Sequence, residues 1–323
     1  MNAWRNTLLA LVLAGPAISM AQDAGFPARP ITLLVGFAPG GGTDQIARIM
    51  APKVGELLKQ TFIVDNKAGG SGTIAAATVA RANPDGYTLL MGHVSSNAMV
   101  PAVKAKVPYA ADKDFTPLTV VGSVPQVMTI PTALPVGNVQ EFIALAKSRK
   151  GKLNYASSGV GTQQHFAAEL FQLATGTEMT HVPYKGSGAA VVDLIAGQVD
   201  VNFDTLPSVL QHIKSGKLRA LAVTTRQRVA DLPEVPTLIE AGLKDFEIGA
   251  WYMVMGPANL PKPISTKLAA AFIQAANSPD IRARLLALNT DVVASGPEQA
   301  RAFLDHEIAR WAKVARDKKI SEE

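Results

Sequence analysis

Strand-length apolar runs alternate with helix-period segments along nearly the whole chain, and that alternation leaves few architectures open. ITLLVGF at 31–37 is a continuous apolar run of strand length, and residues 43–58 repeat their apolar side chains at helical spacing. Residues 62–65 read as a second strand and 73–82 as a helix of small residues. NPDG at 83–86 is a turn by its chemistry, since proline fixes φ and glycine supplies φ > 0; a strand at 87–91 follows it. The alternation resumes with strands at 127–130, 153–156, 199–203 and 218–224 and helices at 139–149, 162–175, 189–196 and 207–214. Such a series predicts an α/β protein with mainly parallel sheets. A long amphipathic helix opened by Ser295-Gly296-Pro297 and running to about Arg316 closes the chain, with Phe303, Leu304, Ile308, Trp311 and Val314 on its core-facing stripe.

One segment has an echo. FAPGGGTD at 37–44 follows a strand and opens a helix, and YASSGVGT at 155–162 does the same about 120 residues later. A strand that ends in glycines and turns into a helix aims several backbone N–H groups at one spot, where the helix dipole adds partial positive charge. Glycine lets a ligand come close because no Cβ stands in the way. Thr43, Ser157, Ser158 and Thr162 add hydroxyls, and neither loop carries Lys or Arg. Neutral donors of this kind suit a carboxylate better than a multiply charged phosphate. Asp44 reads as a brace for the first turn of its helix.

The N-terminus predicts export. Arg5 supplies a basic start, residues 8–20 form a short apolar stretch, and Ser19-Met20-Ala21 is a small-x-small cleavage site, so 1–21 read as a signal peptide. The stretch is too short to span a bilayer. Arg5 is the one charged residue in that segment, so the remainder carries 30 basic against 26 acidic side chains, a net of +4. The basic residues are dispersed and not interleaved with aromatics, which argues against nucleic-acid binding. With no cysteine there is neither disulfide nor thiolate metal site.

Enzymatic motifs fail on inspection. GSGTIA at 70–75 matches G-x-G-x-x-A, but the acid that would hold a ribose, Asp85, falls in a turn. Neither G-x-S-x-G nor a phosphate-binding G-x-x-x-x-G-K-[ST] is present. His93, His165, His181, His212 and His306 show no metal-binding spacing. His165 falls in the first turn behind the second glycine loop, where it can orient that loop. Two other readings stay open at this point: an exported enzyme using His165 or His93 as a base, and a sensor whose closed form meets a signalling partner.

Longer stretches resemble a known family. RPITLLVGFAPGGGTD at 29–44, NPDGYTLL at 83–90, GKLNYASSG at 151–159, HVPYKG at 181–186, DLIAGQVD at 193–200 and GKLRALAVT at 216–224 together resemble the Bug-type, TctC-like substrate-binding proteins of the tripartite tricarboxylate transporter family. The resemblance implies a type II periplasmic-binding-protein fold, with two α/β lobes around a central cleft. Lobe one would combine residues 24–124 and 249–323, and lobe two 125–248, with crossings near 121–123 and 249–251. It also implies a periplasmic receptor, not an enzyme, that needs no cofactor, works as a monomer and hands a small organic acid to separate membrane subunits. In the family the two strand-helix loops form a pincer around one carboxylate. That role carries onto Phe37, Ala38, Gly41, Gly42 and Thr43, and onto Ser157, Ser158, Gly161 and Thr162, with His165 behind them. Ser95 and Ser96 fall in the hydroxyl-rich stretch the family places at the cleft. Asp204 matches an acidic position that can meet the distal part of a ligand, or else caps the helix ahead of Pro207. His93 stands where relatives more often carry a small hydroxyl residue.

Overall fold

The structure is a computed structural model that describes residues 25–104 and 106–320. The predicted signal peptide therefore lies outside the described residues. From the first described residues the chain runs β1 (Ile31–Val35), α1 (Gly42–Leu58), β2 (Phe62–Asn66), α2 (Thr73–Ala80), β3 (Thr88–His93), a π-helical turn at Ser95–Met99, and α3 (Val100–Val103). A long strand, β4 (Phe115–Pro131), leads into α4 (Val139–Ser148), β5 (Asn154–Ser157), α5 (Gln163–Thr175), β6 (Thr180–Pro183), α6 (Ser187–Ile195), β7 (Val201–Thr205), α7 (Leu206–Lys214) and β8 (Leu218–Val223). Strand β9 (Gly249–Pro257), helices α8 (Lys262–Asn277) and α9 (Pro279–Leu286), the short β10 (Asp291–Val292) and α10 (Pro297–Lys318) complete it.

The strands follow the order β2-β1-β3-β9-β4-β7-β5-β6, with β8 and β10 also paired to β4. Parallel pairing holds for β1–β2, β1–β3, β5–β6 and β5–β7. Every pairing that involves β4 or β9 is antiparallel. The expectation of mainly parallel sheets is thus corrected to a mixed arrangement, and the reason is the two strands that join its halves. Strand β4 pairs with β9 as far as Pro125↔Gly249 and with β7 from Gln126↔Thr205 onward, so one strand serves both lobes.

Sequence reasoning recovered only residues 127–130 of β4, because Pro117, Gly122 and Pro125 read as strand breakers. Each finds a tolerated place. The register shifts on either side of Thr119–Val120, and Pro125 sits where the pairing partner changes. Gly122 packs so tightly that a Cβ would lie 2.4 Å from the Asp291 carbonyl oxygen. Strand β9 was legible only as an apolar crossing; it is buried along nearly its whole length.

In α10, Leu304 and Trp311 are buried as predicted, while Phe303, Ile308 and Val314 are half-buried. The helix also buries an unexpected carboxylate. One oxygen of Glu307 accepts the indole N–H of both Trp251 (2.9 Å) and Trp311 (2.8 Å). The Trp311 ring meets Phe166 of α5 edge to face, so this terminal helix packs against α5 as well as β4.

Candidate functional site

The first glycine loop folds into an open anion cradle. Gly40 takes φ +90°, which only glycine adopts freely, and Gly41 caps α1 in an extended conformation with no side-chain hydrogen bond. The first-turn N–H groups of Gly42 and Thr43 therefore keep their donors, as helix starts do unless a cap takes them. Asp44 is a brace. Its carboxylate accepts from Gly40 N–H (3.0 Å), Arg48 Nε (2.9 Å) and Asn66 Nδ2 (2.9 Å), and Asn66 also donates to the Phe37 carbonyl. Burial pushes the Asp44 carboxyl up, but the bonds from Arg48, Gly40 and Asn66 outweigh it and hold the group below its usual range.

The second loop has the same outline and a different use. Its backbone donors are already engaged: Ser158 N–H with Gln164 Oε1, Gly159 N–H with Ser157 Oγ, Gly161 N–H with His165 Nδ1 (3.1 Å), and Gln163 N–H with Ser95 Oγ (3.1 Å). His165 thus holds the loop from behind. Thr162 turns inward too, giving its hydroxyl to the Gly159 carbonyl. The two loops are not equivalent halves, because polar side chains of α5 compete for the donors that α1 leaves free.

A small cavity lies where the loops face each other. Phe37, Ala38, Gly41, Gly42 and Thr43 line one side; Ser158, Gln163, Ser187 and Thr205 line the other. His93 and Tyr252, from β3 and β9, form the floor. Ser95, Ser96, Ser157, Gly161, Thr162, His165 and Asp204 stand behind this wall. Ser95 Oγ donates to Gln163 Oε1 (2.6 Å), Ser96 Oγ to Asn97 Oδ1 (2.7 Å), and Ser157 Oγ pairs with His181 Nε2 (2.6 Å). Asp204 lies in β7, and the N-cap of α7 is Thr205. The Asp204 carboxylate accepts from Ser187 Oγ, Thr205 N–H and Asn202 Nδ2, so it supports two lining residues.

Gln163, Ser187, Thr205 and Tyr252 were missed from sequence. Tyr252 is hidden inside the apolar run AWYMVM, where no alternation sets one face apart. His93 and Tyr252 are direct cross-strand partners, with rings 5.3 Å apart, and the Phe37 ring meets His93 edge to face at 5.1 Å. Nothing in two distant segments announces that register.

The floor is neutral. Burial alone drives the His93 pKa down to about 3, and its Nδ1 accepts Ser95 N–H (3.1 Å), which leaves the proton on Nε2. Burial likewise raises Asp204 to about 6, against the bonds it receives. A histidine whose pKa is depressed on folding contributes full stability above about pH 6.5 and loses it as pH falls, by about 1.4 kcal/mol per unit. Asp204 runs the other way: its raised pKa favours the fold below about 3.8, and that contribution is lost as pH climbs through about 6. Between pH 4 and 6 the two slopes oppose each other, so replacing His93 by Asn is expected to lower the slope of stability against pH by about 1.4 kcal/mol per unit and leave the Asp204 trend uncompensated. Urea unfolding of both proteins across that range measures it; parallel profiles would show that His93 does not titrate as argued.

Two motifs have structural roles. Near-parallel rings of Tyr155, His165 and His181 pack behind the second loop, with Glu169 accepting the Tyr155 hydroxyl (2.7 Å). Among the described residues no group of three acidic, His or Cys side chains could hold a metal ion. The glycines at 69–72 allow a tight turn against β1, where a Cβ on Gly36 would lie 2.7 Å from Gly72 Cα. Ser71 Oγ reaches across to the Val160 carbonyl (2.6 Å), tying this turn to the second loop.

Comparison with known proteins places this geometry. Residues 46–320 match the family model described as the tripartite tricarboxylate transporter family receptor, TctC. Protein BugT of Bordetella pertussis is 38% identical over 308 residues, covering 95% of this chain and 94% of its own length. The solved periplasmic binding protein BugD superposes with a TM-score of 0.88 at 32% identity, covering 92% of this chain and all of its own. MatC of Rhodopseudomonas palustris, solved with bound malate, superposes at 0.86 with 34% identity over 90% of this chain and 99% of its own. A second R. palustris protein, with adipate, does so at 0.89 with 36% identity over 92% and 99%. The family is one of transporter receptors and its solved relatives include a periplasmic binding protein, which removes the catalytic alternative. The chain belongs to the TctC-type receptors of the tripartite tricarboxylate transporter family, as a Bug-like periplasmic binding protein.

Proposed function

We propose that this receptor is exported by residues 1–21, captures a small organic acid between its lobes, and as a monomer delivers it to separate membrane transporter subunits. The supporting observation is the cavity between the glycine loops, which joins free helix-start donors to hydroxyls and amides and has no Lys or Arg in its lining. Neutral, preorganised donors bind a carboxylate without demanding the second charge of a phosphate. Phe37, Ala38, Gly41, Gly42, Thr43 and Ser158 are the direct grip. Ser95, Ser157, Gly161, Thr162 and His165 set the second loop, Ser96 supports the floor through the His93 carbonyl, and Asp204 holds Ser187 and Thr205 of the wall. The lobes divide as 24–124 with 249–323 and 125–248, with hinge closure bringing the loops together. Malate in MatC and adipate in the second R. palustris protein support the ligand class.

Titration calorimetry on protein stripped of ligand by unfolding and refolding tests the reading. Dicarboxylates, hydroxy acids and aromatic acids are compared with amines and neutral sugars. Saturable binding is expected for acids alone. Binding of sugars or amines with no response to any acid would overturn it.

A further inference from the structure

The cavity floor holds more donors than a carboxylate can use. The first-turn N–H groups of α1 and Ser158 approach from the loops and are enough for two oxygens. Two donors remain on the opposite wall. The Tyr252 hydroxyl is fully buried, lines the cavity, and has no hydrogen-bond partner among the described residues. His93, its cross-strand partner, is held by Ser95 N–H in the tautomer that carries hydrogen on Nε2. An unpaired buried hydroxyl costs stability and is retained where something accepts from it.

Position sets what that acceptor can be. A Cβ on Gly42 would lie 2.6 Å from Tyr252 Oη, so the hydroxyl sits directly beneath the start of α1. An anion held by the N–H groups of Gly42 and Thr43 is then one or two bonds from the atom Tyr252 reaches. We infer that Tyr252, with His93 beside it, reads an acceptor oxygen on the carbon next to the carboxylate, making this receptor selective for 2-hydroxy or 2-oxo acids over their unsubstituted counterparts. The inference rests on the carboxylate grip proposed above. Neutral floor donors suit an uncharged oxygen, and the small cavity favours a compact substituent there. Both oxygen types accept from a hydroxyl, so the two classes share the chemistry.

Paired ligands test it: malate against succinate, lactate against propionate, and pyruvate against propionate, each titrated by calorimetry. Wild-type protein is expected to prefer the oxygenated partner at least tenfold in one pair. Tyr252→Phe should erase that preference, weakening the oxygenated acid at least tenfold more than its unsubstituted partner. Its melting temperature should stay level or rise, because an unsatisfied polar group is removed. His93→Gln is expected to reduce the preference partially, and the more favoured of lactate and pyruvate identifies the oxygen. No preference in wild type, or equal loss of both partners in Tyr252→Phe, would overturn the inference and leave the carboxylate grip intact. If no acid binds wild type at all, the grip itself is wrong.

Discussion

Gly42→Ala is expected to weaken ligand binding at least about 100-fold, some 2.7 kcal/mol. The new Cβ would stand 2.6 Å from Tyr252 Oη, 3.6 Å from Tyr252 Cζ and 3.3 Å from Thr205 Oγ1. Tyr252 cannot retreat, since its ring is fully buried and packed against His93. In the proposed lobe division Tyr252 falls in the same lobe as Gly42 and Thr205 in the other, so the new Cβ both disturbs the cavity floor and opposes closure. Gly42 is the first residue of a helix and has no positive φ, and alanine there is favoured over glycine by roughly 0.5–1 kcal/mol. That gain offsets part of the strain against Tyr252, so affinity should fall further than stability. Gly41→Ala is the control: its Cβ would meet nothing nearer than the Ala38 carbonyl oxygen at 3.9 Å, and near-normal binding is expected. Gly161→Ala is a poorer probe, because φ +75° and Val100 at 2.9 Å would strain the fold itself. Calorimetry beside thermal melts separates the three, and an unchanged affinity in Gly42→Ala would show that the lobes do not close on this contact.

The contrast between Gly41 and Gly42 marks what the sequence made legible. A glycine run between a strand and a helix announces an anion cradle, because the physics is local: free N–H groups, a dipole, no Cβ. Which glycine faces the opposite lobe depends on chain brought in from 163 and 210 positions away, Thr205 and Tyr252. The second loop shows the same limit from the other side. Its glycines and hydroxyls echo the first loop in composition, yet Gln164, His165 and Ser95 occupy its N–H groups. Local pattern identified the loop, and only packing shows that it contributes side chains in place of backbone. The mixed sheet was hidden for a related reason: the rules that read proline and glycine as breakers assume one partner per strand edge, and β4 changes partners at Pro125.

The family likeness and the site bear on different links of the chain from sequence to function. Residues 46–320 match the receptor family. The floor of the cleft is decided by His93 and Tyr252, single residues on strands that cross the middle of the sheet. A fold shared at a TM-score near 0.9 leaves ligand choice to such positions, since changing one donor alters an interaction without moving the backbone. Fixed donors on strands also discriminate more sharply than donors on loops, whose geometry can adjust to the wrong ligand.

Glu307→Leu is expected to destabilise the protein by about 3 kcal/mol, whereas Glu307→Gln should cost about 1. Glu307 is 5% exposed, and a single carboxylate oxygen accepts from both tryptophans of the described residues. Leucine fills much of the space but strands two buried indole N–H groups, each worth about 1–3 kcal/mol when unsatisfied, offset in part by no longer burying a charge. Glutamine keeps one acceptor oxygen, which can serve both indoles, and gives up only the half-exposed ion pair with Arg310 (3.2 Å), a contact of about 0–1 kcal/mol. The consequence reaches the cleft. Trp251 lies on β9 opposite Ser123, beside the point where β4 changes partners, and Trp311 packs on Phe166 of α5. One carboxylate thus fixes the terminal helix to β9. Urea unfolding followed by tryptophan fluorescence gives both stabilities, because Trp251 and Trp311 report on this contact. If glutamine proves as damaging as leucine, the negative charge matters more than the shared acceptor. A Glu307→Gln receptor that unfolds normally but binds ligand with altered kinetics would place the same carboxylate in the mechanics of closure.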